Sequence, residues 1–488
     1  MAHGGAGRGD TNRPLRDISL GGPVSSCQSG PVTDDSRTAE LRAAVAALMP
    51  QAKTDLTQLV SFKSVADPRQ FPPEECDRAA QWVADAFAAA GLTRVGLHET
   101  PDGSKAVIAA RPAPEGAPTV LLYCHYDVQP PLDGAAWHSP VWELTERDGR
   151  WYGRGSADCK GNIVMHLTAL RAVGPDLPLG ITVVAEGSEE QGTGGLERFV
   201  ETNPELLRAD AIVIGDCGNF AAGVPTLTET LRGNVNVVVT VETLTSPLHS
   251  GMFGGAAPDA LAALIHLLAS LRDEHGNTTV AGLQHDQRWT GVQYPEDQFR
   301  SDAGLLPGVE CTGDGTVSDM LWARPALTVL GIDAPPVVGS AAAVQPSARA
   351  RLNLRIPPGT DPEQAHKALV AHLEANTPWN AKLTIELEGV GAAFRSSSGG
   401  PAREAMEAAL TASYGRPTTT QGQGGSIPLC NVFADTYPAA EIMLLGVEEP
   451  KALIHAPNES VDPSEIEHMA LAEALFLLDY AEQARRAR

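Results

Sequence analysis

His125, Asp127, Asp158, Glu189, Glu190, Asp216 and His455 combine two imidazoles with five hard carboxylates, and each stands where a strand or turn runs into a loop. Imidazole nitrogen and carboxylate oxygen are the donors that hold catalytic divalent metals. Two metals about 3.5–4 Å apart need a carboxylate that bridges them, and a further carboxylate can act as base. His125 and Asp127 are two apart on a strand and point to one side, so one can ligate while the other fixes its tautomer. Gly153-Arg154-Gly155-Ser156-Ala157-Asp158 is a glycine-dense turn that presents Asp158 at a helix start. Its two oxygens could bridge two metals, or the residue could be an ordinary capping Asp. Glu189 and Glu190 follow a buried apolar strand, where paired acids are costly unless they serve a ligand. Asp216 again ends an apolar strand, and His455 sits in a turn; taken singly, each also reads as ordinary turn chemistry. Cys124, Cys159 and Cys217 adjoin these positions, which raises a thiolate zinc site as a rival.

These side chains need a framework. Strands are expected at 106–110, 120–125, 181–186 and 211–215, with helices at 40–60 and 74–90 and from about Lys160 and Gly195. Pro50 would kink or split the first helix, for which Asp34, Asp35 and Ser36 are candidate caps. The apolar runs at 120–125 and 181–186 suit strands covered by helices on both faces. From about Asn234 the pattern becomes strand 235–242, helix 258–271, strands 326–330 and 348–356, helix 361–376 and strand 383–389. That β-α-β-β-α-β order is a ferredoxin-like sandwich. Residues 274–324 interrupt it, carry Trp289 and Trp322, and match no simple pattern. A helix at 402–413, a strand at 441–445 and a helix at 464–484 then resume the first alternation. Because His455 belongs with the other ligands, the expected fold is α/β. A discontinuous α/β/α catalytic domain around a mixed sheet (38–232 and 397–488) carries an inserted ferredoxin-like lid (233–396), behind a flexible tail (1–37).

The chain has 488 residues and a net charge of −24, from 36 basic and 60 acidic residues. That length implies more than one core, and the charge argues against nucleic acid or an anionic membrane as partner. No apolar stretch reaches the ~18 residues of a membrane span. The residues around Cys27 lack the hydrophobic run of a secretion signal. Seven cysteines without a C-x-x-C pair fit a reducing, cytoplasmic setting.

From about Ala39 onward the ordered series resembles the co-catalytic metallopeptidases that include carnosinases, cytosolic dipeptidases, aminoacylases and succinyl-diaminopimelate desuccinylase. The resemblance implies His125 as ligand with Asp127 orienting it, Asp158 as bridge, Glu189 as general base and Glu190 as ligand. One metal would take His125, Asp158 and Asp216, and the other Asp158, Glu190 and His455. It also implies two divalent ions per subunit, with Zn²⁺ the first expectation and Mn²⁺ or Co²⁺ the alternatives. Leu248-His249-Ser250-Gly251 resembles the lid motif whose His reaches the active site of the other subunit in a homodimer and holds the oxyanion. Arg355, in Leu-Arg-Ile-Pro-Pro-Gly, and Gly425 and Ser426, in Gly-Gly-Ser-Ile-Pro, resemble the residues that hold the substrate carboxylate. Three features depart from the family pattern: Cys159 where Asp or Asn is common, Gln345-Pro346 for Ile-Pro, and the tail. Asp rather than Glu at 216 resembles the dipeptidase branch. The expected activity is hydrolysis of dipeptides with free termini, with N-acyl-amino-acid deacylation as the alternative. The expected mechanism has a metal-activated water losing a proton to Glu189, which then protonates the departing amine.

Overall fold

The computed structural model describes residues 35–396 and 399–486. Its main sheet has nine strands. In chain order these are β1 (Arg94–Glu99), β2 (Lys105–Arg111), β3 (Thr119–His125), β4 (Gly180–Glu186), β5 (Ala211–Gly215) and β6 (Thr226–Leu231). The inserted sandwich contributes β7 (Gly233–Glu242), β8 (Ala326–Asp333), β9 (Ser347–Ile356) and β10 (Lys382–Gly391). The chain then returns to the main sheet through β11 (Phe394–Arg395), β12 (Thr419–Gln423) and β13 (Glu441–Leu445).

The main sheet runs β1-β2-β4-β3-β5-β13-β6-β11, with β12 beside β6. Its centre, β4-β3-β5-β13, is parallel throughout. Both faces of this centre are covered, so its strands are apolar and buried along their length. One face packs against helices Asp35–Ser61, Glu74–Ala89, Lys160–Val173, Pro401–Tyr414 and Pro463–Arg486. The other face packs against Gly195–Thr202 and Pro428–Thr436. The fold is the expected α/β/α arrangement around a mixed sheet.

The lid sheet runs β8-β9-β7-β10, antiparallel throughout, which is the strand order of a ferredoxin-like sandwich. Val235, Val237, Val239 and Val241 alternate inward and pack under helices Ala260–Ala269 and Pro362–Ala375. The junction is tight: β6 ends at Leu231 and β7 starts at Gly233, with only Arg232 between them. A Cβ on Gly233 would lie 2.4 Å from the carbonyl oxygen of Gly391, so only glycine lets the two connecting strands approach so closely.

Some local expectations needed correction. Pro50 does not split the first helix, which runs unbroken over Asp35–Ser61. Burial of Leu41, Val45, Leu56 and Leu59 outweighs the one hydrogen bond that proline removes. Because that helix already begins at Asp35, residues 35–37 belong to it rather than to the tail. The rest of the tail, including Asp34 and Cys27, lies outside the described residues. Segment 274–324 contains a short helix, Glu296–Asp302, and a single wide turn, Asp319–Ala323. Its order comes from packing: Tyr294 contacts Phe220, Phe299 and Trp322, while Trp289 meets Trp322 edge-on. Val292 N–H bonds to the Thr420 carbonyl, which ties the segment to the catalytic sheet.

Candidate metal centre

The carboxyl ends of four neighbouring parallel strands point to one edge of the sheet. Such an edge collects ligand-binding side chains because each strand there gives way to a loop. His125 ends β3, Glu189 and Glu190 follow β4, Asp216 follows β5, and Glu448 and His455 follow β13. Asp158 arrives from the turn preceding helix Lys160–Val173, through a cis Asp158–Cys159 peptide bond.

Asp158 lies between the two imidazoles. Its Oδ1 is 3.0 Å from His125 Nε2, and its Oδ2 is 2.9 Å from His455 Nε2. Around His125, Asp216 Oδ1 is 3.2 Å from the same Nε2. Around His455, Glu190 Oε2 is 3.2 Å from Nε2. The structure therefore brings His125, Asp158 and Asp216 together on one side and Asp158, Glu190 and His455 on the other. Donor atoms of the second group all lie within 4.8 Å of one another, close enough to surround one ion.

The electrostatics fit divalent cations. Hydrogen bonds to Asp158 and Glu190 raise the His455 pKa to about 11, so a proton stands where positive charge is needed. Burial disfavours the His125 imidazolium, but Cys159 and Asp216, with the hydrogen bonds to Asp127 and Asp158, outweigh it and raise its pKa. Burial, reinforced by Asp158, lifts Glu190 to about 7. Asp158, although buried, is held below the ordinary range by both imidazoles. Divalent metal would replace those protons with fixed charge, and these residues have the right donor types for it.

Asp127 has a wider role than expected. His125 Nδ1 is 3.0 Å from the Asp127 backbone carbonyl and 3.4 Å from its carboxylate. The carboxylate oxygens instead accept the backbone N–H groups of Glu189 (3.2 Å) and Glu190 (3.0 Å). Asp127 thus locks the paired glutamates to the histidine strand. Gln129 Nε2 donates to Glu190 Oε2 at 2.7 Å and aims that oxygen. The Glu189 carboxylate lines the cleft and accepts no hydrogen bond from the described residues. Burial, then the charges of Asp216 and Glu190, push its pKa well up.

Two further buried glutamates, Glu448 and Glu459, shape the site. Glu459 accepts from Arg154 Nη1 (2.7 Å) and from the backbone N–H groups of Gly155 (2.9 Å), Ala157 (3.1 Å) and Asp158 (3.1 Å). The C-terminal segment thereby shapes the glycine-dense turn that presents Asp158. Glu448 comes within 4.8 Å of Asp158 and Asp216 donor atoms and is bonded by Asn162 Nδ2 at 3.3 Å. Neither role is visible in spacing, because both contacts cross about 300 residues. Of the three neighbouring cysteines, Cys159 alone has its sulfur in one of these donor groups, with His125 and Asp216. Its thiol donates to the Gly215 carbonyl at 2.9 Å. The Cys124 thiol is directed instead toward the Val184 carbonyl of the neighbouring strand β4.

The turn bearing His455 is under backbone strain. Leu453, His455 and Asn458 have φ of 52°, 62° and 67°, a region that side chains other than glycine seldom occupy, at about 1–3 kcal/mol each. Asn458 holds it by accepting from His138 N–H (2.8 Å) and donating to the Ala136 carbonyl (2.9 Å).

Arg355, Gly425 and Ser426 line the same cleft as Glu189, Glu190 and His455, a cavity of about 560 Å³. His249 does not reach it. It is exposed on the lid, where its Nδ1 accepts the Gly251 N–H at 3.1 Å.

Paired imidazoles sharing one carboxylate, at the strand ends of an α/β/α body with an inserted sandwich, describe a metallohydrolase. The profile of Peptidase family M20/M25/M40 matches residues 121–479, and the chain belongs to that family. A cysteinylglycine-S-conjugate dipeptidase of Corynebacterium striatum is 45% identical over 87% of this chain and 94% of its own length. A beta-Ala-His dipeptidase of Rattus norvegicus is 27% identical over 78% of this chain and 82% of its own. The crystal structure of human carnosine dipeptidase 1 superposes with a TM-score of 0.79 at 23% identity, covering 91% of this chain and 99% of that one.

Proposed function

We infer that the protein is a metal-dependent dipeptidase. The observation that carries this reading is Asp158 shared between two imidazoles, with the Glu189 carboxylate, unpaired among the described residues, in the same cleft. The 45% identity to a dipeptidase over most of both chains supports it.

In our reading His125, Asp158 and Asp216 hold one divalent ion, and Asp158, Glu190 and His455 hold the other. Zn²⁺ is the first candidate, and Mn²⁺ or Co²⁺ suit the same donors. Bound there, the ions would polarise the scissile carbonyl and acidify the attacking water. Glu189, whose carboxylate accepts no hydrogen bond from the described residues, takes the proton from that water and delivers it to the departing amine. Asp127 holds Glu189 and Glu190 in place through their backbone N–H groups. Arg355, with Gly425 and Ser426, receives the free carboxylate of the dipeptide, for which a guanidinium fork is suited. Among dipeptides we place Cys-Gly and its S-substituted forms first, following the Corynebacterium relative.

His249 completes the site only from a second copy, so the working unit is a homodimer joined through the lid. The exposed Leu330 and Ile332 on edge strand β8 support this. Among the described residues no helix is long and apolar enough to cross a membrane. All six described cysteines are free thiols, which supports a cytoplasmic location.

Two measurements test these assignments. Metal-stripped protein reloaded with Zn²⁺ or Mn²⁺ is expected to cleave Cys-Gly and S-substituted Cys-Gly and to leave the N-acylated forms intact; cleavage of the acylated set alone would move it to the deacylases. Mixing His249→Ala with Glu189→Ala subunits is expected to restore up to about a quarter of the activity, since one site in a mixed dimer keeps both groups. Mixtures no more active than the separate variants would remove His249 from the partner's site.

A further inference from the structure

Arg232 occupies the single-residue hinge between β6 and β7 and is buried at 9% exposure. Its Nε and Nη1 atoms are buried and have no hydrogen-bond partner. No carboxylate among the described residues forms an ion pair with it, in a chain with 60 acidic residues. Arg272, Glu296 and Glu310 line the same cavity as Arg232 without forming an ion pair with it, and burial, then repulsion from Arg355, lowers its pKa to about 10. An unpaired buried guanidinium beside a second one is costly unless an anion arrives to neutralise them.

The surroundings indicate where that anion would sit. Arg232 N–H bonds to the Gln423 carbonyl, and the guanidinium lies against Gly424: a Cβ there would be 3.0 Å from Nη2. Gly424 directly precedes Gly425 and Ser426 on the wall of the metal cleft. Arg355 is paired in register with Asn234, two residues beyond Arg232, and lines that same cleft. On its other side Arg232 borders a separate cavity of about 860 Å³ under segment 274–324. The two arginines therefore flank the glycine loop, one in the cleft and one behind it.

We propose that Arg232 and Arg355 form a two-guanidinium receptor whose counter-ion is the free carboxylate of the substrate, with Arg232 as a positioning residue behind the Gly424–Ser426 loop. This rests on the dipeptidase reading and on Arg355 facing the carboxylate. It assigns the demand for an unblocked C-terminus to two residues, one in the interdomain hinge and one in the lid strand β9.

The test compares Cys-Gly with its C-terminal amide on wild type and on Arg232→Met, Arg232→Lys and Gly424→Ala. For Arg232→Met, KM for Cys-Gly is expected to rise about 10- to 100-fold, the range set by hydrogen bonds to charged groups, with kcat little changed. Hydrolysis of the amide should change little, so the wild-type preference for the free acid collapses. Arg232→Lys should lose less. Gly424→Ala, which displaces the guanidinium without removing it, should act in the same direction even if the methionine variant does not fold. Unchanged KM for Cys-Gly in Arg232→Met, or equal losses on acid and amide, would overturn the proposal alone. A wild-type enzyme indifferent to acid or amide would overturn the Arg355 assignment together with it.

Discussion

Glu189→Gln is expected to lower kcat by about 10²–10⁴-fold, the contribution of a positioned general base, while the protein keeps its full metal content. The Glu189 side chain makes no hydrogen bond to the described residues and its backbone N–H is held by Asp127, so the amide leaves the ligand geometry intact. Glutamine is isosteric but cannot take the proton. Steady-state kinetics with metal analysis of the same sample checks this. Near-wild-type turnover would remove the base assignment, whereas loss of metal along with activity would make Glu189 a ligand. Glu190→Gln gives the contrast, because Glu190 faces His455 at 3.2 Å and its loss should show first in metal content.

Glu459→Ala is expected to be the most damaging change to stability, at about 3–5 kcal/mol, the range for breaking a buried ion pair by removing one partner. Arg154 and Glu459 are both essentially inaccessible and 2.7 Å apart. Removing the carboxylate strands the Arg154 guanidinium and also frees the N–H groups of Gly155, Ala157 and Asp158. The turn presenting Asp158 then loses its anchor, so metal affinity should fall together with the midpoint of chemical denaturation. Adding Arg154→Met should recover part of the stability by removing the stranded charge, but not the metal affinity, because the three N–H groups stay unpaired. A double variant that regains both would place Glu459 in charge balance only.

The same contact explains why two separated stretches behave as one domain. The catalytic sheet is completed by β12 and β13 after the lid, and Glu459 reaches back some 300 residues to shape the first half of the site. Chain order placed the lid between them, but only side-chain contact shows that the later segment builds the earlier turn.

Legibility in sequence followed local physics. Apolar runs such as Val120 to Cys124 and Ile181 to Ala185 read as buried strands, because a strand covered on both faces has no polar side. The acids and histidines at their ends stood out because paired charges beside such strands are costly without a ligand. The alternating valines of β7 and the β-α-β-β-α-β order likewise sufficed for the sandwich. What stayed hidden depended on distance in the chain. Thr226–Leu231 and Thr419–Gln423 alternate too weakly to be read as strands, and became strands by pairing with each other. Segment 274–324 has no period because its order comes from aromatic contacts and hydrogen bonds, among them the one from Val292 to Thr420, rather than from repeating structure.

By itself, then, the sequence determined which residue types stand at the strand ends, and so a carboxylate–imidazole donor set in an α/β body with an inserted lid. Tertiary structure alone decided that Asp158 is shared between His125 and His455, that Asp127 clamps Glu189 and Glu190, and that Arg232 is left without a counter-ion beside Arg355. Strand ends are set by local hydrophobicity and turn chemistry, which any short window displays. Ligand sharing, clamping and charge neutralisation depend on which loops meet in space, and that is settled only when the sheet closes.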